Sequence, residues 1–178
     1  MADPAPPRAL AWHHPAMLLA TWFGAGRLPG APGTWGSLAA LPVAWLITAT
    51  GGTAALLIAA LLIFLVGWIA AHRALDTSRS SDPGWIVIDE VAGQWLTLAL
   101  PPLLLGFAFL DDALGPLGYL LGFGLFRVMD IWKPWPVSLA DQRVPGGLGV
   151  MLDDMLAGVY AGGCLTLILW GLDHVGWN

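Results

Sequence analysis

The sequence predicts an all-α fold: a polytopic integral membrane bundle of about five membrane-inserted helices, the first two forming a hairpin around Gly51-Gly52. Three observations predict it. The 178 residues are 57% apolar and 11% charged, whereas an ordinary soluble domain is about 25% charged, and the mean hydropathy is +0.73. Apolar runs recur at lengths near the roughly 20 residues that a membrane helix requires. Finally, the arrangement implied by those runs gathers every Lys and Arg on one side, as the positive-inside rule demands.

The elements follow in order. Residues 1–28 read as an N-terminal tail and interfacial helix. The first fifteen residues have prolines near the start, one arginine and no apolar core, which does not fit a secretory signal. Residues 16–28 are apolar but too short to span. Residues 29–178 read as a single membrane-embedded domain, opened by the turn-rich stretch PGAPGTWGS at 29–37. Leu38 to Thr50 and Thr53 to Ala71 are apolar on either side of Gly51-Gly52. Residues 72–85 are polar. Apolar character returns from Ile86 to Leu110, interrupted by Asp89-Glu90 and Pro101-Pro102, and again from Leu114 to Ile131 after a turn at Asp111-Asp112. Residues 132–150 are polar and rich in Pro and Gly, and 155–172 are the last apolar run. The predicted spans are 36–50, 53–71, 89–110, 114–131 and 153–172.

That arrangement puts Arg8, Arg27, Arg73, Arg79, Arg127, Lys133 and Arg143 on the side of the N-terminus, expected to be cytoplasmic. The Gly-Gly turn, Asp111, Asp112 and the C-terminus lie opposite. A single span over 36–71 would split the basic residues between the two faces, which favours the hairpin.

Of the 12 acidic residues all but Glu90 are Asp. Asp suits helix ends and short-reach ligation, although chance produces such a bias in a small set. The single cysteine, Cys164, forms neither an intramolecular disulfide nor a Cys-rich metal site and reads as packing. His13, His14, His72 and His174 lack zinc-motif spacing. The formal charge of −5 argues against a nucleic-acid partner.

Four polar stretches lie at span ends on the expected cytoplasmic side. In 29–37, Gly30, Gly33, Thr34, Gly36 and Ser37 precede an apolar helix, whose free N–H groups suit a phosphate; a plain capping turn accounts for the same residues. In 82–95, Asp89 and Glu90 project about 100° apart on a helix, so that one faces a metal while the other holds a neighbouring group, with Gly93 leaving room beside Asp89. Two capping acids at a helix start are the alternative. In 126–136, Arg127 and Asp130 share a helix face, and Lys133 follows, a pattern that fits a phosphate and metal clamp or a self-contained ion pair. In 141–158, Asp141 and Arg143 precede GGLGVMLDDMLAG, where adjacent Asp153 and Asp154 stand at the mouth of the last apolar run. Ionisable groups within a membrane are costly and mark function. Oxygen-only donors point to Mg²⁺ ahead of Mn²⁺ or Ca²⁺. There is no Cys-x5-Arg loop, no Asp-x-Asp-x-Thr motif and no nucleotide loop ending in Gly-Lys-Ser/Thr. Glycine pairs Gly118/Gly122 and Gly158/Gly162 are spaced for close helix approach. Trp35, Trp85, Trp132 and Trp135 fit an interfacial aromatic belt.

PGTWGSLAALP (32–42), DPGWIVIDEVAGQW (82–95), FRVMDIWKPWP (126–136) and GGLGVMLDDMLAGVYA (146–161) together resemble the phosphatidylglycerophosphatase A family, in its motif order. The resemblance implies a Mg²⁺-dependent phosphatase of the bacterial inner membrane. Such an enzyme hydrolyses phosphatidylglycerophosphate to phosphatidylglycerol and phosphate at the cytoplasmic face, in phospholipid biosynthesis. The polar positions matching the family are Thr34, Asp82, Asp89, Glu90, Arg127, Asp130, Lys133, Asp141, Asp153 and Asp154. Asp89, Glu90, Asp130, Asp153 and Asp154 are the expected catalytic and metal-binding set; Thr34, Arg127, Lys133, Asp141 and Arg143 are expected to bind substrate. One position departs: Gln142 follows Asp141 where the family carries an arginine, which leaves the equivalence of Arg143 open. Two other readings fit membrane-edge acids, a lipid-headgroup transferase and a non-enzymatic ion carrier. The former lacks its spaced Asp motif here, and the latter needs acids at mid-membrane depth.

Overall fold

A computed structural model describes residues 10–76, 83–106 and 114–174. Within them every regular element is helical: α1 (Pro15–Ala20), a 3-10 turn (Ala25–Arg27), α2 (Pro32–Leu75), α3 (Ile88–Leu104), α4 (Pro116–Trp132), α5 (Val137–Arg143) and α6 (Gly146–His174). Asp82, Asp111, Asp112, Arg8 and Arg79 lie outside the described residues. Two helices, α2 and α6, are long and apolar enough to cross a membrane.

Helix α2 starts at Pro32, inside the stretch that reads as a turn and four residues before the predicted span; Pro32 takes a first-turn position that needs no N–H donor. It is not straight. Gly52 departs from helical geometry at φ 71°, ψ 179°, a conformation open to glycine because it has no Cβ. On either side of the break, Gly36 lies against Val87 and Gly67 against Ile88; a Cβ at those glycines would stand 2.7 Å from Val87 Cβ and 3.0 Å from Ile88 Cγ1. Thirty-one residues of straight helix would separate Gly36 from Gly67 by about 46 Å. The axis therefore turns sharply at Gly52, and both arms meet the start of α3.

Helix α3 is the centre of the molecule. Val91, Trp95, Leu98 and Ala99 join Ala40, Ala44, Leu56 and Ala60 of both α2 arms in the main apolar core, with Leu165 of α6. Trp95 also donates its indole N–H to Ala40 O at 3.0 Å, which removes the cost of burying that donor. Close approach rests on small residues. Gly158 of α6 faces the Gly93 backbone, Gly162 faces Leu100 and Thr97 O, and Gly122 of α4 faces Leu98 and Leu165. Gly118 differs in its nearest neighbour, which is the Leu114 side chain just before its own helix.

The outer faces are apolar as well. Ile131 is 72% exposed and Leu167 68%, and Trp45, Ile58, Leu62, Ile69 and Leu117 are exposed too. Large apolar surface on several helices is what a lipid environment covers.

Two differences from the sequence expectation bear on the site. A seven-residue helix, α5, forms inside 132–150, which had read as an irregular polar stretch; Lys133 ends α4 in a left-handed conformation (φ 47°) and Pro134 and Pro136 lead into α5. Helix α6 starts at Gly146, not Asp153. The glycines that read as a loop are packing residues: a Cβ at Gly147 would collide with His72 N and Trp68 O of α2, and one at Gly149 with Val144 O. Asp153 and Asp154 therefore sit about two turns inside α6. At the N-terminal end, α1 and the 3-10 turn fold back on the core. Val87 N donates to Ala20 O at 2.8 Å, and Gly26 abuts Trp85 O.

Candidate metal and phosphate site

The start of α2, the start of α3, the end of α4, α5 and the second and third turns of α6 meet at one end of the bundle. Asp89 and Glu90 occupy the first turn of α3, where the helix dipole favours negative charge. Asp89 Oδ1 accepts from the Glu90 N–H at 3.0 Å. One oxygen each of Asp89, Glu90 and Asp154 lies within 4.8 Å of the others. The sequence expectation was that neighbouring Asp89 and Glu90 would divide between metal and another partner. Instead both reach Asp154, because α6 crosses α3 closely enough at Gly93–Gly158 to bring a carboxylate between them.

Arg127, in the last turns of α4, binds Asp130 Oδ2 at 2.7 Å and stands 3.8 Å from Glu90 Oε1. Its Nη1 also lies 3.4 Å from Ser37 Oγ of α2. Asp130 lies against Asp154, and Asp153 near Asp89. Lys133, turned back by its left-handed backbone, donates to Asp141 Oδ1 at 2.6 Å and Asp153 Oδ2 at 2.5 Å. Burial alone would push the Lys133 ammonium down. Its hydrogen bonds to Asp141 and Asp153 outweigh that and hold it above the ordinary lysine value, so it is a fixed cation.

The start of α2 closes the site. A Cβ at Gly33 would collide with Glu90 Oε1 and stand 3.1 Å from Arg127 Nη2, so any other residue there displaces the ends of these two side chains. Thr34, the next residue, is half-buried. Arg143 is not brought into this constellation. It is exposed on α5 and takes no part in the ion pairs of the described residues.

The donor set fits a hard divalent cation. Buried oxygens Glu90 Oε2, Asp153 Oδ1 and Asp154 Oδ2 have no protein partner, which is costly unless a ligand satisfies them. The available donors are carboxylate oxygens only, the set that suits Mg²⁺, Mn²⁺ or Ca²⁺. Among the described residues, six carboxylates, those of Asp89, Glu90, Asp130, Asp141, Asp153 and Asp154, face Arg127 and Lys133, so an added cation also balances charge.

A sequence profile described as "PgpA: Phosphatidylglycerophosphatase A" matches residues 18–169. The chain belongs to the phosphatidylglycerophosphatase A family. It is 40% identical over 158 residues to "Phosphatidylglycerophosphatase A" of Escherichia coli strain K12, covering 88% of this chain and 83% of that protein. Against the Haemophilus influenzae protein of the same name it is 35% identical over 161 residues, covering 90% and 93%. A "Putative phosphatidylinositol-3-phosphatase" of Bacteroides thetaiotaomicron is 34% identical over 161 residues, covering 86% and 93%. No solved structure matches. As a member of the phosphatidylglycerophosphatase A family the protein is a phosphatase.

Sequence reasoning passed over one residue in this family member. Gln94, one turn beyond Glu90, is fully buried with neither amide atom partnered in the protein. A lone amide in an otherwise apolar run was the available signal. Gly93, expected to leave space beside Asp89, instead admits the Phe126 ring and the Asp154 carbonyl.

Proposed function

We propose that this protein hydrolyses the phosphomonoester of phosphatidylglycerophosphate, releasing phosphatidylglycerol and phosphate, with Mg²⁺ as cofactor, as a step in phospholipid biosynthesis. The observation that carries this reading is the set of unpartnered buried carboxylate oxygens on Glu90, Asp153 and Asp154 beside two fixed cations. The names of the relatives supply the substrate.

Asp89, Glu90 and Asp154 hold the cation, with Asp130 and Asp153 completing its surroundings. When bound, the ion supplies positive charge against the phosphate oxygens and Lewis-acid activation. Arg127 offers a planar pair of donors to the phosphate, and the free N–H groups of Gly33 and Thr34 at the start of α2 add two more. Lys133 holds Asp153 in place and presents its charge to the phosphate; Asp141 anchors Lys133. Arg143, on the exposed rim, attracts the anionic headgroup. One water is consumed. Its oxygen bonds to phosphorus, the bond from phosphorus to the glycerol oxygen breaks, and a cluster carboxylate passes the proton to the departing alcohol.

The location proposed is the bacterial inner membrane, multi-pass, with the site on the cytoplasmic face. The sharp turn at Gly52 supports reading α2 as two spans, and the exposed apolar faces support a bilayer around the bundle. Arg27, Arg73, Arg127, Lys133 and Arg143 then share the face that carries the site. A carboxylate site gathered at one end of the bundle favours hydrolysis over ion transport, since a conduit needs acids along the membrane depth. Phosphate release from phosphatidylglycerophosphate by the purified protein tests the reading. Release that requires Mg²⁺ and stops with EDTA is expected, and no release at any divalent concentration would overturn it.

A further inference from the structure

The first arm of α2 and helix α4 run side by side from the acid cluster and touch at two levels. At the site end Arg127 meets Ser37 at 3.4 Å. At the far end the Tyr119 hydroxyl meets Thr48 Oγ1 at 3.3 Å. Between and beside these contacts the helices leave a cavity of about 550 Å³, walled mainly by Leu41, Trp45, Pro116, Tyr119 and Leu120. Between the cavity and the site, α4 carries no side chain at one position of the face they share. Leu120, Gly124 and Arg127 follow one another on a single face of α4 at helical spacing. Gly124 is exposed, and a Cβ built on it would meet nothing within 4 Å.

We infer that this groove seats one acyl chain of the lipid whose phosphate lies at Arg127. The inference rests on the phospholipid reading proposed above and adds a second binding element to the same substrate. Depth supports the occupant. From Arg127 to Tyr119 is about 12 Å along α4, and from Ser37 to Thr48 about 16 Å along α2. Half the hydrocarbon core of a bilayer is about 15 Å, so a chain hanging from a headgroup at Arg127 ends in the cavity. Chemistry agrees: the exposed part of the lining is mostly apolar, and the Tyr119 hydroxyl is bonded to Thr48. A chain leaving bulk lipid gains little apolar burial in such a groove, because lipid tails are as apolar as Leu. The groove's contribution is orientation of the scissile phosphate, which raises the rate at the chemical step.

Gly124→Leu tests this. The substitution is sterically free, lies outside the phosphate and metal set, and replaces a weak helix former with a strong one, so the variant folds. Its side chain adds bulk on the α4 face between Arg127 and Leu120, where a chain running from the phosphate to the cavity would lie. Phosphate release is measured on long-chain phosphatidylglycerophosphate and on a water-soluble short-chain analogue, for wild type and variant. The groove predicts a loss of about tenfold or more on the long-chain lipid and little change on the short-chain analogue. In parallel, a phospholipid carrying a photoactivatable group near the end of one acyl chain labels the purified wild type. Labelling at Trp45 or Leu120 that Gly124→Leu abolishes is expected.

Equal rates on both substrates in wild type and variant, with unchanged labelling, overturn the groove while leaving the phosphatase reading intact. Groove labelling without turnover in wild type overturns the phosphatase reading and keeps the groove as a lipid site. A change of oligomeric state on Gly124→Leu, without chain-length dependence, assigns the face to a second copy and overturns the inference.

Discussion

The close crossing of α3 and α6 makes Gly158→Ala an informative perturbation, because it adds one methyl group where two backbones touch. The new Cβ would stand 2.6 Å from Gly93 O and 3.2 Å from Gly93 C and Cα. Ordinary contact begins near 3.4 Å, and the obstacle is backbone, so no rotamer change relieves it. The helices must part by about 0.8 Å at this level. Such overpacking costs about 1–3 kcal/mol. The functional effect is larger. Asp154 precedes Gly158 by four residues and Asp89 precedes Gly93 by four, so the separation is transmitted one turn to carboxylates grouped within 4.8 Å. Mg²⁺ demands near-octahedral oxygens at about 2.0–2.1 Å, and a misplacement near 1 Å costs about 100-fold in rate. Phosphate release as a function of Mg²⁺ concentration, with thermal unfolding recorded in the same detergent, is the assay. We expect turnover to fall about 100-fold and the half-activating Mg²⁺ concentration to rise, in a protein that remains folded. Gly163→Ala in the same helix meets nothing within 4 Å and is the control, expected to be neutral or stabilising by about 0.5–1 kcal/mol. Unchanged turnover and Mg²⁺ dependence in Gly158→Ala would refute the link between helix crossing and ligand spacing.

Asp154→Asn and Asp153→Asn should each abolish phosphate release while leaving the detergent-solubilised protein monodisperse; near-normal turnover in both would remove the metal assignment. Lys133→Met leaves Asp153 without its hydrogen-bonded cation, so both turnover and melting temperature should fall, the latter reflecting about 1.5–3 kcal/mol for a lost charge-assisted bond. Arg127→Lys keeps the charge but loses the two-pronged donor geometry, and steady-state kinetics should show about a tenfold or greater loss in kcat/KM. Cys164→Ala should be kinetically silent, and a marked loss would expose a role for the last helix that its packing does not suggest.

How much of this was legible beforehand follows from the kind of signal each part carries. The helices were visible because apolar runs of membrane length have few competing readings. The convergence of Asp89, Glu90, Asp130, Asp153 and Asp154 was visible because charges in a poor background stand out. Other features depended on contacts between distant segments. The Gly146–Gly149 stretch reads as a loop by local propensity; it is helical because Gly147 fits against the α2 backbone at Trp68 and His72. Nothing local could show that both Asp89 and Glu90 reach Asp154, since that depends on the angle at which α6 crosses α3. Helix α5 was hidden by its flanking prolines, and nothing local could show that α5 leaves Arg143 exposed to solvent.

The break in α2 gives the molecule a mechanical property. Gly33 lies nineteen residues before Gly52, an arm of about 28 Å. A change of about two degrees in the bend would shift the far end of that arm by roughly 1 Å, as far as active-site geometry tolerates. Trp95, bonded to Ala40 part-way along the arm, acts as a strut that limits the swing. In the membrane placement proposed above, lipids of different thickness would press on the elbow at Gly52, far from Glu90 and Arg127. Their effect should therefore be read at the catalytic end, with bilayer thickness setting turnover through lever and strut.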